Sequence, residues 1–289
     1  MMDLTDIPVI DVSQQTHYRI KIGVDLTKKS YDDKLTNLFL LNRINCVVNS
    51  DLPTEIKYGW FQKSNFTDNY GIILVCSEYT EKIIQIYNKI KDDNLKVFAY
   101  EINSQITYLT NESRLIYKYY DFEWNCSLES FIQINPYAAN FIHDKIKELI
   151  VQNNSIFAIG GEAGIYTKLF NKNYKCLTNS KAIYDDCLFN KQYNCELVDY
   201  NILNVKNHIN NQNVLIVNIS RNGLRNLADQ IVNCDFQQIL YIGCCDKAVK
   251  RDMNILKKRY SIKKIIKINQ FPQTDYYSYI IDLWKLCIY

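Results

Sequence analysis

Four stretches of the 289-residue chain carry side chains whose type and spacing could do chemistry. In Tyr241-Ile242-Gly243-Cys244-Cys245-Asp246 an apolar run ends in a glycine and two adjacent thiols. A cysteine there is a nucleophile if its thiolate can be reached, or a small apolar residue closing a buried strand. Ile159-Gly160-Gly161-Glu162-Ala163-Gly164 follows a second apolar run. Such a turn lets backbone amides approach a ligand, and it equally makes a strand-to-helix connection that holds none. From Lys247 to Lys267 there are nine Lys or Arg residues and one acidic residue, Asp252. Lys247, Lys250, Arg251, Lys257 and Lys258 could contact phosphates, or they could simply face solvent. Tyr119, Tyr120, Phe122 and Trp124 could stack on bases or belong to a core.

These residues need elements to position them. In the carboxy-terminal half, strand signals at 155–160, 174–178, 214–220, 238–243, 261–268 and 278–289 alternate with helical stretches such as 181–192. Short apolar strands separated by helices predict an α/β fold with a mostly parallel sheet covered on both faces. Ligands of such sheets collect beyond the strands' carboxyl ends, where the glycine turn and Cys244 would share one crevice. Ahead of this lie strand signals at 17–26, 71–77, 96–102, 106–110 and 114–120, with Ile83, Ile86, Tyr87 and Ile90 at helical spacing. That mixture predicts a smaller α+β subdomain over 1–129, followed by the sheet domain over 130–289. A helix is expected after Asn135, a plausible N-cap, with Pro136 in its first turn.

Composition narrows the class. Net charge is +3 and pI about 8.2, compatible with a nucleic-acid partner but far from the strongly basic balance that announces one. The first residues contain neither a basic leader nor an apolar h-region, and no apolar run approaches bilayer length. An intracellular, cytoplasmic protein with no membrane contact is the expectation. Ten cysteines and three histidines are spread along the chain without a C-x-x-C pair. Reduced thiols and no metal site are expected.

Five stretches then fall in a recognisable order: SFIQINPYAANFI, FAIGGEAGIYT, ISRNGL, YIGCCDKAVKRDMNIL and FPQTDYYS. Their order and spacing resemble the RNA (uracil-5)-methyltransferase family, most closely its short tRNA-type members without an amino-terminal OB-like domain. HYRIKI near the start echoes the family's H-Y-R-x-K/R. The resemblance implies a Rossmann-like methyltransferase domain, S-adenosylmethionine as cofactor and tRNA or rRNA as partner. It also implies a cofactor contact from Gln133, and Cys244 as the thiol that adds to C6 of uracil. That addition turns C5 into a carbon able to take a methyl group, after which a base must remove the C5 proton.

The resemblance also marks departures. Ala158 takes an acidic position, and Glu162 replaces the first glycine of the cofactor turn that includes Gly160 and Gly164. Bulk and charge from Glu162 are expected beside the path of the methionine carboxylate. Thr178 replaces a glutamate that binds ribose hydroxyls. The D-P-P-R motif reads Asn218-Ile219-Ser220-Arg221, keeping only Arg221 with Gly223-Leu224 after it. Ser278 stands where the general-base glutamate belongs, and Asp275 would point to the opposite face of an extended strand. Losing a carboxylate that accepts two hydroxyl bonds costs roughly 1.5–3 kcal/mol per bond. The sequence therefore predicts a non-catalytic relative without cofactor, an RNA-binding or scaffold and regulatory subunit of an RNA-processing assembly. The alternative is an active, divergent S-adenosylmethionine-dependent enzyme with Cys244 as nucleophile. A small-molecule Rossmann-type enzyme has only the glycine turn in its favour.

Overall fold

In the computed structural model, which describes residues 3–12, 16–150, 155–170, 174–209 and 213–286, the chain forms two units, Gln14–Pro136 and Met1–Ser13 with Tyr137–Tyr289. Strand β1 (Val9–Asp11) pairs in parallel with a strand near the carboxyl end. The amino-terminal residues, read from sequence as part of the first subdomain, thus cluster with the large sheet. Residues 130–136 cluster the other way: the Ile20 amide donates to the Ile134 carbonyl at 3.0 Å.

The smaller unit runs β2 (Lys21–Asp25), α1 (Leu38–Val48), β3 (Ile56–Lys63), β4 (Tyr70–Cys76), α2 (Lys82–Ile90), β5 (Leu95–Ile102) and β6 (Gln105–Tyr108). The hairpin β7 (Arg114–Tyr119) and β8 (Phe122–Ser127) completes it. Five strands pair in the order β2-β3-β4-β5-β6, and only β4 and β5, joined through α2, are parallel. Leu40, Ile44 and Val47 of α1 and Ile83, Ile86 and Ile90 of α2 bury helical stripes against Phe61, Ile72, Leu74 and Phe98. Asn37 caps α1 by accepting the Phe39 amide at 3.1 Å. Of the expected aromatic cluster, Tyr119 and Trp124 are buried, while Tyr120 sits exposed at the hairpin turn.

The larger unit continues with α3 (Pro136–Leu149), β9 (Ile156–Gly160), α4 (Ala163–Phe170), β10 (Tyr174–Thr178), α5 (Lys181–Phe189) and β11 (Cys195–Leu197). It ends with β12 (Val214–Asn218), α6 (Asn226–Val232), β13 (Gln238–Gly243), α7 (Asp246–Leu256), β14 (Tyr260–Asn269) and β15 (Ser278–Lys285). The sheet order is β1-β14-β15-β13-β12-β9-β10-β11, with β15 antiparallel to both neighbours. This is the expected mostly parallel α/β sheet. Strands β9, β12 and β13 are buried at every position, as they must be with helices on both faces. Phe157, Ile159, Leu215, Val217, Ile239 and Tyr241 form one layer with Leu227, Val249 and Met253 of the helices. Of the strand expected over 278–289, residues 287–289 lie outside the described residues.

Candidate active site at the carboxyl ends of the parallel strands

Register brings the expected site residues level. Gly160 pairs with Asn218, Asn218 with Ile242, and Leu177, one residue before Thr178, with Ile159. Thr178, Gly160, Asn218 and Ile242 thus form one row across β10, β9, β12 and β13, with Cys244 just beyond it. Strands β9 and β12 converge tightly here. A Cβ on Gly160 would lie 2.0 Å from the Asn218 carbonyl oxygen, and Gly160 has φ +113°. Glycine is obligatory at this position because of the neighbouring backbone, before any ligand is considered.

Glu162 meets the end of β12. It is buried, and its carboxylate accepts from the Asn218 amide nitrogen at 3.2 Å and lies 3.7 Å from His143 Nε2. The same Asn218 nitrogen donates to the Tyr166 hydroxyl at 2.9 Å. Burial, reinforced by the Glu162 charge, pushes the Tyr166 hydroxyl well above its ordinary range. The two departures are therefore coupled, since Asn218 donates to the Glu162 carboxylate. Glu162 also holds φ +57°, a left-handed conformation that costs a non-glycine residue roughly 1–2 kcal/mol. Alanine is normally the more stable replacement at a position with ordinary backbone. Here Glu162→Ala is expected to be less stable than Glu162→Gly by about 1 kcal/mol, and both less stable than the parent. Urea unfolding checks the order; alanine above glycine would show that the left-handed turn is not imposed.

Cys244 is half-buried at the mouth of β13. Burial raises its thiol above the ordinary range, while the charge of Arg221 and a hydrogen bond from it pull the other way. The guanidinium of Arg221 also lies over the ring of Tyr276, 5.1 Å from its centroid. The surviving arginine of ISRNGL, just after β12, thus acts on the thiol just after β13. Replacing Arg221 by methionine removes the opposing influence, so the Cys244 thiolate should form only at higher pH. The pH profile of Cys244 alkylation, followed by peptide mass spectrometry, is expected to move upward, with Arg221→Lys in between; an unmoved profile would contradict the contact.

Ser278 opens β15, where Tyr279 pairs with Gly243 of β13. Its hydroxyl donates to Gln270 and it is buried. The stretch before it is not extended. Phe271 to Thr274 form a turn, with the Thr274 hydroxyl and amide both bonding the Phe271 carbonyl, and Gln273 has φ +65°. The strand-alternation argument against Asp275 therefore fails. Asp275 is exposed in this loop, one residue before the tyrosine that Arg221 covers.

The remaining expected residues are placed as follows. Thr178 is buried, and its hydroxyl oxygen accepts the Ser180 amide at 3.1 Å. Gly164 lies buried in α4. Gln133 is buried in the Gln14–Pro136 unit. Lys247, Lys257 and Lys258 are exposed and Lys250 is partly so. Arg251 is committed within the fold: it grips Asp252 at 2.7 and 2.9 Å and donates to the Asn222 carbonyl at 2.8 Å. A role for Asp252 was not foreseen. It is fully buried and also accepts from the Leu224 amide at 2.6 Å and the Tyr241 hydroxyl at 2.8 Å. Its signal was available: an acid within the buried stripe Ala248, Val249, Met253, Leu256 of α7.

The donor set at the strand ends suits an adenosyl ligand in part. The strand–glycine turn–helix geometry is present, and Thr178, where the resemblance implies a carboxylate, offers a hydroxyl. Among the described residues no helix is long and apolar enough to cross a membrane.

No family model matches the chain. An uncharacterized RNA methyltransferase of Mycoplasma mobile is 27% identical over 169 residues, 55% of this chain and 46% of that protein. Another from Caldanaerobacter subterraneus is 25% identical over 185 residues, 60% of this chain and 41% of that protein. The matched region thus spans about half or less of these relatives. Among solved structures, the tRNA (uracil-54, C5)-methyltransferase of Pyrococcus abyssi, in complex with S-adenosyl-L-homocysteine, shares the fold. Its TM-score is 0.74 at 16% identity, covering 96% of this chain and 78% of that one. The chain is thus similar in sequence to RNA methyltransferases over about half of their length, and it shares the fold of a tRNA (uracil-54, C5)-methyltransferase.

Proposed function

We propose that the chain is an S-adenosylmethionine-dependent RNA uracil-5 methyltransferase, the more active of the two readings its sequence allows. The observation that carries this is the register that brings Gly160, Asn218 and Ile242 level at the strand ends, with Cys244 just beyond them. Burial raises the Cys244 thiol, and Arg221 opposes that rise in part. Likeness to RNA methyltransferases and the shared uracil-C5 enzyme fold support the reading.

In this mechanism Cys244 adds to C6 of the target uracil, and the electron pair moves to C5 and the O4 carbonyl. S-adenosylmethionine, when bound, supplies an electrophilic methyl group. Gly160, Gly164 and Thr178 are the residues of the large unit that would hold it. Asp275, carried by the loop against Tyr276, takes the C5 proton, and Cys244 leaves as the C5–C6 double bond re-forms. The exposed Lys247, Lys257 and Lys258, with the partly exposed Lys250, supply phosphate contacts.

The test is methyl transfer from labelled cofactor to unmodified tRNA and rRNA transcripts, followed by nucleoside analysis. 5-Methyluridine is the expected product. Asp275→Asn should lower turnover by roughly 10²–10⁴, the usual contribution of a general base. No transfer to either RNA class, together with no cofactor binding, would leave the non-catalytic RNA-binding or scaffold reading.

A further inference from the structure

The cysteines are scattered in sequence, yet three of them converge. Cys176 of β10, Cys187 of α5 and Cys195 of β11 bring their Sγ atoms within 4.8 Å of one another, all buried. Two are fixed by register, since Cys176 and Cys195 are direct partners on adjacent parallel strands. Cys187 stands on the buried face of the helix that connects those strands. One thiol therefore comes from each element of a single β-α-β unit.

The three thiols face one another. Other buried cysteines behave differently: Cys76 and Cys234 donate to the backbone carbonyls of Leu74 and Gln230 at 3.6 and 3.2 Å. Thiols are weak donors and weak acceptors, so turning three of them toward one point gains little by hydrogen bonding. Around a soft cation the same arrangement gains far more.

We propose that Cys176, Cys187 and Cys195 form a site for one thiophilic d10 cation, zinc or monovalent copper, which staples the outer edge of the large sheet. Metal–sulfur bonds of about 2.3 Å place three trigonal sulfurs about 4.0 Å apart, so the observed cluster contracts by at most about 0.8 Å. Side-chain rotation within the existing backbone supplies that. An all-sulfur set excludes magnesium and calcium, which require oxygen ligands. Each ligating thiol gives its proton to solvent as the metal–sulfur bond forms, and no oxidant or reductant enters. Access is short, because β11 is the outermost strand and is only three residues long. A strand that short has few ladder bonds, so a tether to β10 and α5 is where stabilisation has most effect. The site lies three strands from β13 and does not depend on the methyltransferase reading.

The full chain, demetallated by chelator under reducing conditions, is titrated with Zn²⁺ alone and, anaerobically, with Cu⁺ alone. One equivalent of at least one ion is expected to bind and raise the melting temperature. X-ray absorption on the loaded wild-type chain should show three sulfur neighbours at about 2.3 Å. Cys187→Ala and Cys195→Ala should each lose stoichiometric binding, while Cys76→Ala and Cys234→Ala keep it. The proposal is overturned if neither ion binds stoichiometrically. It is also overturned if the wild-type spectrum is dominated by nitrogen or oxygen, a result that needs no variant to fold, or if the Cys76 and Cys234 variants lose as much metal as the cluster variants. Methyl transfer, present or absent, leaves these readouts unchanged.

Discussion

Replacing Cys244 by alanine is expected to abolish covalent trapping on RNA that carries 5-fluorouridine, where the wild-type chain forms a one-to-one adduct stable to denaturing electrophoresis. Fluorine at C5 cannot leave as a proton does, so a thiol that has added at C6 is held there. Turnover on ordinary RNA should fall by about 10⁴-fold or more, because C5 does not become nucleophilic without the addition. The loss is chemical, not structural. Cys244 is half-buried at a strand mouth, so truncating one sulfur should cost only about 1 kcal/mol of stability. Cys245→Ala is the matched control. Cys245 starts α7 beside the same site without the Arg221 contact, and its variant should keep the adduct. RNA binding by the wild-type chain with no adduct would sink the nucleophile assignment and favour a binding or scaffold role.

The sequence disclosed the frame of this site more fully than its wiring. The alternation of apolar runs with helical stretches is a strong signal when strands are buried on both faces, so β9, β10, β12 and β13 were legible nearly to the residue. Segment β3, Ile56–Lys63, was not, since its exposed and buried positions do not alternate cleanly. Helix α1 carries its stripe at Leu40, Ile44 and Val47, yet Asn and β-branched neighbours mask it locally. Within the site, Glu162 and Asn218 looked like two independent losses. Only three dimensions show them as donor and acceptor, because 56 residues of chain separate them. The loop before Ser278 was treated as extended when Asp275 was weighed, because nothing local announces the turn at Gln273. The convergence of Cys176, Cys187 and Cys195 depends on strand register, which spacing alone does not encode.

Asp252 should carry the largest single share of the large unit's stability. Asp252→Asn is expected to destabilise it by about 3–5 kcal/mol, the usual cost of breaking a buried, fully bonded ion pair from one side. The carboxylate accepts from three sources, Arg251, the Leu224 amide and the Tyr241 hydroxyl, and is fully buried. An asparagine keeps the shape but turns a donor toward donors, so at least one of those groups is left buried without an acceptor. Gly223 belongs to the same device. At φ +66° a Cβ there would lie 2.4 Å from the Asp252 carboxylate and 2.6 Å from Arg251, so Gly223→Ala should be costly as well. Because the two sites share one network, the double variant should lose less than the sum, with a coupling of about 1–3 kcal/mol in urea unfolding. Full additivity, or a cost below about 1 kcal/mol for Asp252→Asn, would falsify this account. The same network bears on chemistry, since Leu224 and Gly223 follow Arg221 in one loop. Loosening their anchor frees the guanidinium from Cys244, so Asp252→Asn should raise the pH at which that thiol is alkylated even where the protein remains folded. A purely structural aspartate would leave that pH in place.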